Sequence, residues 1–269
     1  MAPGRAGPGG NNDLMSEARP PAAAAKVQLP HAPLPAYYAD EAEHGRYLRR
    51  IFDDTAPDYD RIERVLALGS GAWYRRAALR RAGLGAGARV VDVGIGTGLV
   101  AREALALVGP RGRLVGVDPS PGMLREVALP RADLLAGRAE ALPLPDGSGD
   151  FLSMGYALRH IADVSAAFAE FFRVLRPGGR LLVLEISKPE GRVGTAVLKG
   201  YMRTVVPVIA RLVARQRATP ELWRFYWDTI EACIPPATVI EALRAAGFER
   251  VERHVELGVF SEYTATRPG

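Results

Sequence analysis

The sequence predicts an α/β fold built on a doubly wound, mostly parallel sheet. Three observations predict it. From Ala88 to Ser187, short runs rich in Val, Leu and Ile alternate with helical segments. These runs are apolar on both faces, as parallel strands are when helices cover the sheet on either side. The first run ends in a glycine-rich turn, "VGIGTG", at the point where open α/β sheets bind ligands.

The elements follow in order. Residues 1–35 hold "PPAAAA" and "PHAPLP" and few large apolar side chains, so a disordered tail is expected there. A helical region is expected from Glu41 to Ala82, broken near "DDTAPDYD". "ARVVDVG" then reads as a strand, "GLVAREALALV" as a helix, "GRLVGVD" as a strand and "SPGMLREVAL" as a helix. A short strand falls within "DLLAGRAEAL" and another in "GDFLSMGYAL"; "VSAAFAEFFRVL" is a helix, and "PGG" turns the chain into the strand "RLLVLEIS". Beyond Pro189 come an amphipathic helix around Val205–Val213, its apolar run interrupted by Pro207 and Arg211, and the aromatic helix "ELWRFYWDTIE". "PATVIEALRAAGF" is a helix with Gly247 as its C-cap, and "RVERHVELG" and "FSEYTAT" are strands. One domain is expected over 36–269. It comprises a helical cap (36–84), a core (85–189), a helical lid (190–235) and a terminal helix with two strands (236–269).

Composition narrows the function. No apolar run reaches the ~18 residues of a membrane span, and no secretory h-region opens the chain. Cys233 is the only cysteine, which excludes an internal disulfide and a cysteine-based metal cluster and suits a reducing cytoplasm. No two histidines have ligand spacing, so no metal is expected. The net charge of +5 suits an acidic ligand or an anionic membrane surface. Without basic runs interleaved with aromatics, nucleic acid is not an expected partner.

Gly94, Gly96 and Gly98 sit where a strand meets a helix. The spacing departs from the dinucleotide pattern G-x-G-x-x-G, and the Gly-Lys-Ser/Thr ending of a phosphate loop is absent. Asp92, two residues earlier, is placed to act on an amino group. Asp118 ends the next strand and can accept from both ribose hydroxyls. Met123 is placed to pack on an adenine, and Arg138, Ala139 and Glu140 precede the fourth strand, where an adenine amino group is read. The set fits a nucleoside with a ribose and a base but no pyrophosphate. S-adenosyl-L-methionine is such a cofactor.

"FDDTAPDYDRIERVLALG", "VVDVGIGTG", "VDPSPGML", "AEALPLPDGSGDF", "YALRHIAD" and "RVLRPGGRLLVLEISKP" together resemble the ubiquinone/menaquinone C-methyltransferase family, within the class I methyltransferases. The resemblance covers about residues 50–260. It implies a seven-stranded, Rossmann-like sheet binding S-adenosyl-L-methionine, with Thr97 in the glycine loop, Asp118 on the ribose, and Arg138 and Ala139 near the adenine. Gly155 keeps the position of a small polar residue without its hydroxyl, and Tyr59 would close over the methionine end. Three departures stand out: His160 replaces an expected asparagine, Leu99 an expected acid, and "LWRFYWDTIEACIPP" is unlike the family's usual stretch.

For C-methylation of a hydroquinone, Arg159 is a candidate phenolate stabiliser and His160 a candidate base, since imidazole titrates near neutrality. The alternatives are an Arg159–Asp163 pair and a helix-capping His160, while Asp163 reads as a helix N-terminal residue. Trp223, Tyr226, Trp227 and Ile230 repeat on one helical face, as core or as a lid; with Trp73, the aromatic ones are candidate acceptor contacts. Methylation of an isoprenoid diphosphate or another specialised metabolite is the second reading, with these aromatic faces stabilising a carbocation and Arg203, Arg211, Arg215 and Arg217 available to phosphate. Expected partners are a small apolar or prenylated acceptor, a peripheral membrane contact and a second copy of the chain. Expected localisation is cytoplasmic, at or near the inner membrane.

Overall fold

The computed structural model describes residues 27–66, 69–216 and 218–269. Its centre is a seven-stranded sheet in the order β3-β2-β1-β4-β5-β7-β6. The strands are β1 Arg89–Val93, β2 Arg113–Asp118, β3 Ala132–Ala136, β4 Gly149–Gly155, β5 Leu175–Ile186, β6 Glu249–Glu256 and β7 Phe260–Thr266. β1 to β5 run parallel, and β7 is antiparallel to both β5 and β6. Strand order reverses between β1 and β4, which opens the switch-point crevice at their carboxyl ends.

Alternate side chains of each strand enter opposite layers. Val91, Val93, Leu181 and Val183 pack with helices α5 (Val164–Val174) and α9 (Pro236–Ala245) on one face. Val90, Leu182 and Leu184 pack with α2 (Gly71–Arg81) and α3 (Leu99–Val108) on the other. A third cluster joins α1 (Glu41–Leu66), α7 (Val206–Val213) and α8 (Thr219–Ala232) above the crevice. Two further helices, α4 (Pro121–Glu126) and α6 (Arg192–Gly200), and a 3-10 turn at Leu158–His160 lie between these.

Two expectations are corrected. α1 runs unbroken through Pro57. Proline removes one helix hydrogen bond, but the residues on either side are tied elsewhere. Asp53 accepts from Ser120 Oγ (2.6 Å) and Gly122 N (2.7 Å). Buried Asp58 accepts from the amides of Arg215 and Gln216 (2.8 and 2.7 Å), and Asp60 from the Thr97 hydroxyl. The expected amphipathic helix around Val205–Val213 is α7, with Pro207 in its first turn, and a π-helical segment, Tyr201–Val205, joins α6 to it. The expected tail reaches too far. Gln28 O accepts from Val164 N and Pro30 O from Ile234 N (both 2.8 Å), and His31 is buried against this region. The rest of that expectation, residues 1–26, lies outside the described residues, as does Arg217.

Candidate active site

A cavity of about 1360 Å³ fills the crevice. A pocket for one drug-sized ligand holds ~300–1,000 Å³, so this one has room for two reactants.

One end is polar and built by loops. Gly94, Gly96 and Gly98 all have positive φ (66°, 56° and 88°), a backbone that glycine adopts without strain. The turn is held down by Gly94 N donating to Val117 O and Gly96 N to Asp118 Oδ2, each at 2.8 Å. Asp118 Oδ1 takes the Ser120 amide at 2.9 Å, and each oxygen keeps a further lone pair for a ligand. Burial pushes Asp118 up to about 6. Asp92 is deeper, with Ser153 Oγ donating to Oδ1 (2.6 Å) and Oδ2 buried without a partner among the described residues. Burial pushes it up to about 7. Thr97, Met123, Arg138 and Ala139 line the same end, Arg138 being held in part by Glu140 (3.3 Å). Gly155 also lines it; a Cβ there would stand 2.6 Å from Val100 Cγ2, so Val100 occupies the space of the absent side chain. An unsatisfied acid, glycine turns open to close approach and a second acid at the end of β2 fit a zwitterionic nucleoside such as S-adenosyl-L-methionine.

The other end is aromatic and apolar. Phe52, Tyr59, Trp223, Tyr226 and His160 line it with Leu198, Met202 and Val206. The Tyr59 and Tyr226 hydroxyls share a hydrogen bond of 2.5 Å. Burial, then mutual interaction, holds Tyr59 well above the ordinary phenol range. Trp223 completes this box, 5.0 Å from the Tyr226 ring and stacked on Tyr59 at 6.2 Å. Its buried indole N–H has no hydrogen-bond partner among the described residues.

Several candidate residues sit differently from their sequence-based roles. Arg159 is fully buried and does not line the cavity. It pairs with Glu185 rather than Asp163, donates to Thr229 Oγ1 at 3.2 Å, and lies 4.4 Å from the Tyr226 ring centre. Asp163 caps α5 through the Ser165 and Ala166 amides. His160 stacks on Phe225 (5.5 Å), and both its ring nitrogens are buried without hydrogen-bond partners among the described residues, so it caps nothing there. Burial, then the Arg159 charge, drives it well below the usual imidazole range, which corrects the expectation that it titrates near neutrality. Trp227 is 0 % exposed, lies outside the cavity and donates to Glu231 Oε2 (3.1 Å), so it is a core residue rather than an acceptor contact. Trp73 is 68 % exposed and lies on the rim.

Sequence reasoning missed Asp58, Asp60 and Glu185. The "APDYD" stretch contains the signal for the first two: three successive polar side chains bond to three different parts of the fold, Asp58 to the α7–α8 turn, Tyr59 to Tyr226 and Asp60 to Thr97.

The model of the ubiE/COQ5 methyltransferase family matches residues 40–267. A ubiquinone/menaquinone biosynthesis C-methyltransferase of Syntrophotalea carbinolica is 36% identical over 83% of this chain and 95% of its own length. A demethylmenaquinone methyltransferase of Symbiobacterium thermophilum is 31% identical, over 84% and 94%. Among solved structures, an S-adenosylmethionine-dependent methyltransferase of Thermotoga maritima shares the fold with a TM-score of 0.57 at 22% identity, covering 81% of this chain and 99% of that one. The seven-stranded sheet with its glycine turn and two buried acids therefore has its relatives: the chain belongs to the ubiE/COQ5 methyltransferase family, whose members are S-adenosylmethionine-dependent methyltransferases.

Proposed function

We propose that the protein transfers a methyl group from S-adenosyl-L-methionine to a ring carbon of a prenylated hydroquinone, of the kind that leads to ubiquinone or menaquinone. The observation that carries this reading is the division of one cavity into a polar, acid-lined end and an apolar, aromatic end. The relatives' names point to the same acceptor class.

Asp92 would hold the donor's ammonium and Asp118 its ribose, with Gly94, Gly96, Thr97 and Gly98 forming the floor. Met123, Arg138, Ala139 and Gly155 would flank the adenine and the sulfur side. When bound, the donor supplies an electrophilic methyl on a sulfonium. The protein's work is then placement, up to several kcal/mol of the barrier, and stabilisation of the acceptor's oxyanion. The Tyr59–Tyr226 hydroxyl pair can donate to that oxygen. Arg159, fixed by Glu185, stands behind the Tyr226 ring and acts through it as a positioning residue. His160 stays neutral, so it can accept a hydrogen bond from the acceptor's hydroxyl; the phenolic proton, and after methylation the proton of the methylated ring carbon, leave to solvent.

The aromatic box of Tyr59, Trp223 and Tyr226 also supports a second reading, methylation of an isoprenoid diphosphate, since three ring faces can stabilise a carbocation. Product mass from parallel reactions with a reduced demethylated prenylquinone and a prenyl diphosphate decides between the two. One added methyl on the quinol ring is expected; turnover with the diphosphate alone would overturn the quinol assignment.

No helix among the described residues is long and apolar enough to cross a membrane. We propose instead a peripheral contact. Val193, Val197, Val208 and Leu212 are each more than half exposed along the outer side of the α6–α7 run. This run carries Arg192, Lys199, Arg203 and Arg211 and no acid, which is the pattern of a helix lying on an anionic lipid surface. Its inner side, at Leu198, Met202 and Val206, lines the apolar end of the cavity.

A further inference from the structure

Arg75, on α2, lines the cavity and is buried, yet none of the roles above uses it. Its Nη1 donates to Glu63 Oε1 at 2.7 Å, and Glu63 lines the cavity too. Its Nε is buried with no hydrogen-bond partner among the described residues. A buried arginine N–H left unpaired is costly, and this one belongs to a side chain that lines the cavity, where a ligand can pair it. The pair is also built for. A Cβ on Gly71 would come within 2.3 Å of Glu63 Oε1 and about 3 Å of both terminal nitrogens of Arg75, so the glycine leaves room for the pair.

The neighbouring backbone adds a second observation. Tyr156 adopts φ 60°, a left-handed conformation rarely held by a residue with a large side chain, and it lines the same cavity. The charge of Arg75 acts on its buried phenol. Tyr156 lies three residues beyond Ser153, the residue paired with Asp92 across β1 and β4. That is ~10 Å of extended chain, within reach of a long side chain and a bound amino acid.

One cavity thus carries an acid with a spare oxygen, Asp92, and an arginine with a spare N–H, Arg75. Because Glu63 already balances the arginine charge, a ligand bearing both signs fits better than a simple anion. We infer that Arg75 is the carboxylate receptor for the α-amino-acid end of the methyl donor, with Glu63 and Gly71 holding its guanidinium in place. The inference rests on the donor reading above and extends it to a residue on the helical cap.

The test compares binding of S-adenosylhomocysteine with that of 5′-methylthioadenosine, which has the same nucleoside but no amino acid. Calorimetry on the full chain would follow wild type, Arg75→Lys, and the charge-balanced double variant Glu63→Gln/Arg75→Gln. For the double variant, S-adenosylhomocysteine affinity should fall about 10- to 100-fold, the worth of a charge-assisted hydrogen bond. Methylthioadenosine affinity should stay unchanged, which also shows that the cavity is still folded. Arg75→Lys should fall between the two, since lysine keeps the charge but not the fork. Equal losses for both ligands, or no loss for either, would overturn the inference. Unchanged S-adenosylhomocysteine binding with loss of inorganic pyrophosphate binding would also overturn it, moving Arg75 to the acceptor. If wild type bound no S-adenosylhomocysteine, the donor reading itself would fall.

Discussion

The guanidinium of Arg159 lies 4.4 Å from the ring centre of Tyr226, and this contact links the core sheet to the helical cover. Arg159 follows β4, Tyr226 belongs to α8, and Glu185 at the end of β5 fixes the arginine from the sheet side. Burial alone would favour neutral groups here, but the pair keeps Arg159 charged, raising it above its usual value, chiefly through Glu185. A buried ion pair that has lost one partner leaves an uncompensated charge, at about 3–5 kcal/mol. Glu185→Ala should therefore lower unfolding free energy by about that amount, whereas Arg159→Met/Glu185→Leu should recover most of it. Urea unfolding of the two variants measures the difference; equal losses would mean that the ion pair is not what Glu185 contributes.

Tyr226→Phe removes one hydroxyl from the cavity and keeps the ring beneath Arg159. If that hydroxyl donates to the developing oxyanion, kcat should drop about 10²- to 10³-fold, as for loss of one oxyanion donor. S-adenosylhomocysteine affinity should not change. A rise in KM with kcat intact would reassign Tyr226 to acceptor binding alone.

Asp92 gives the site a pH signature. Its carboxyl is raised from 3.8 to about 7 by burial, so the folded, unliganded protein holds this proton more tightly than the unfolded chain. The resulting stabilisation is fully present below pH 3.8 and disappears as pH rises to about 7. Binding an ammonium has the opposite preference, since it needs the carboxylate. S-adenosylhomocysteine should accordingly bind more tightly from pH 6 to about 8 and release a proton, visible as a buffer-dependent heat. Asp92→Asn should flatten that profile; an unaltered slope in the variant would place the proton elsewhere.

The exposed stripe on α6 and α7 makes a separate prediction, because Val197 and Leu212 do not line the cavity. Val197→Glu/Leu212→Glu should leave turnover of a short-chain, water-soluble quinol unchanged. Flotation with vesicles containing phosphatidylglycerol should fall at least ten-fold relative to wild type. If the variant instead splits a wild-type dimer in sedimentation and wild type ignores the vesicles, the stripe joins two copies of the chain.

The parts legible in the sequence are those set by short-range rules. Strand–helix alternation from Ala88 to Ser187 gave the sheet, because apolar runs bounded by glycine turns leave little choice of element. The glycine turn and Asp118 came together by topology, since consecutive parallel strands place their carboxyl ends side by side. Pro57 misled because local breaking is outweighed by anchors distant in sequence, such as Asp58 on the α7–α8 turn. PGG misled in a smaller way: β5 begins before it, at Leu175, and a register irregularity opposite β4 absorbs the glycines. Helical periodicity put Trp223, Tyr226 and Trp227 on one face, but neighbours at i+3 and i+4 straddle that face. Trp223 and Tyr226 turn to the cavity and Trp227 to the core. No spacing rule connects Arg159 to Glu185, or Glu63 to Arg75, until the fold brings them together.

The segment from Gln28 to His31 has a practical consequence. Its carbonyls take amides from the first residue of α5 and from Ile234, just beyond α8, and His31 forms an isolated bridge with Cys233. These residues stitch the base of the helical cover to the core from outside. A chain trimmed as far as Leu34 would lose that stitching, while one starting at Val27 would keep it. The boundary chosen for crystallisation or fusion work therefore decides how firmly the cover is seated.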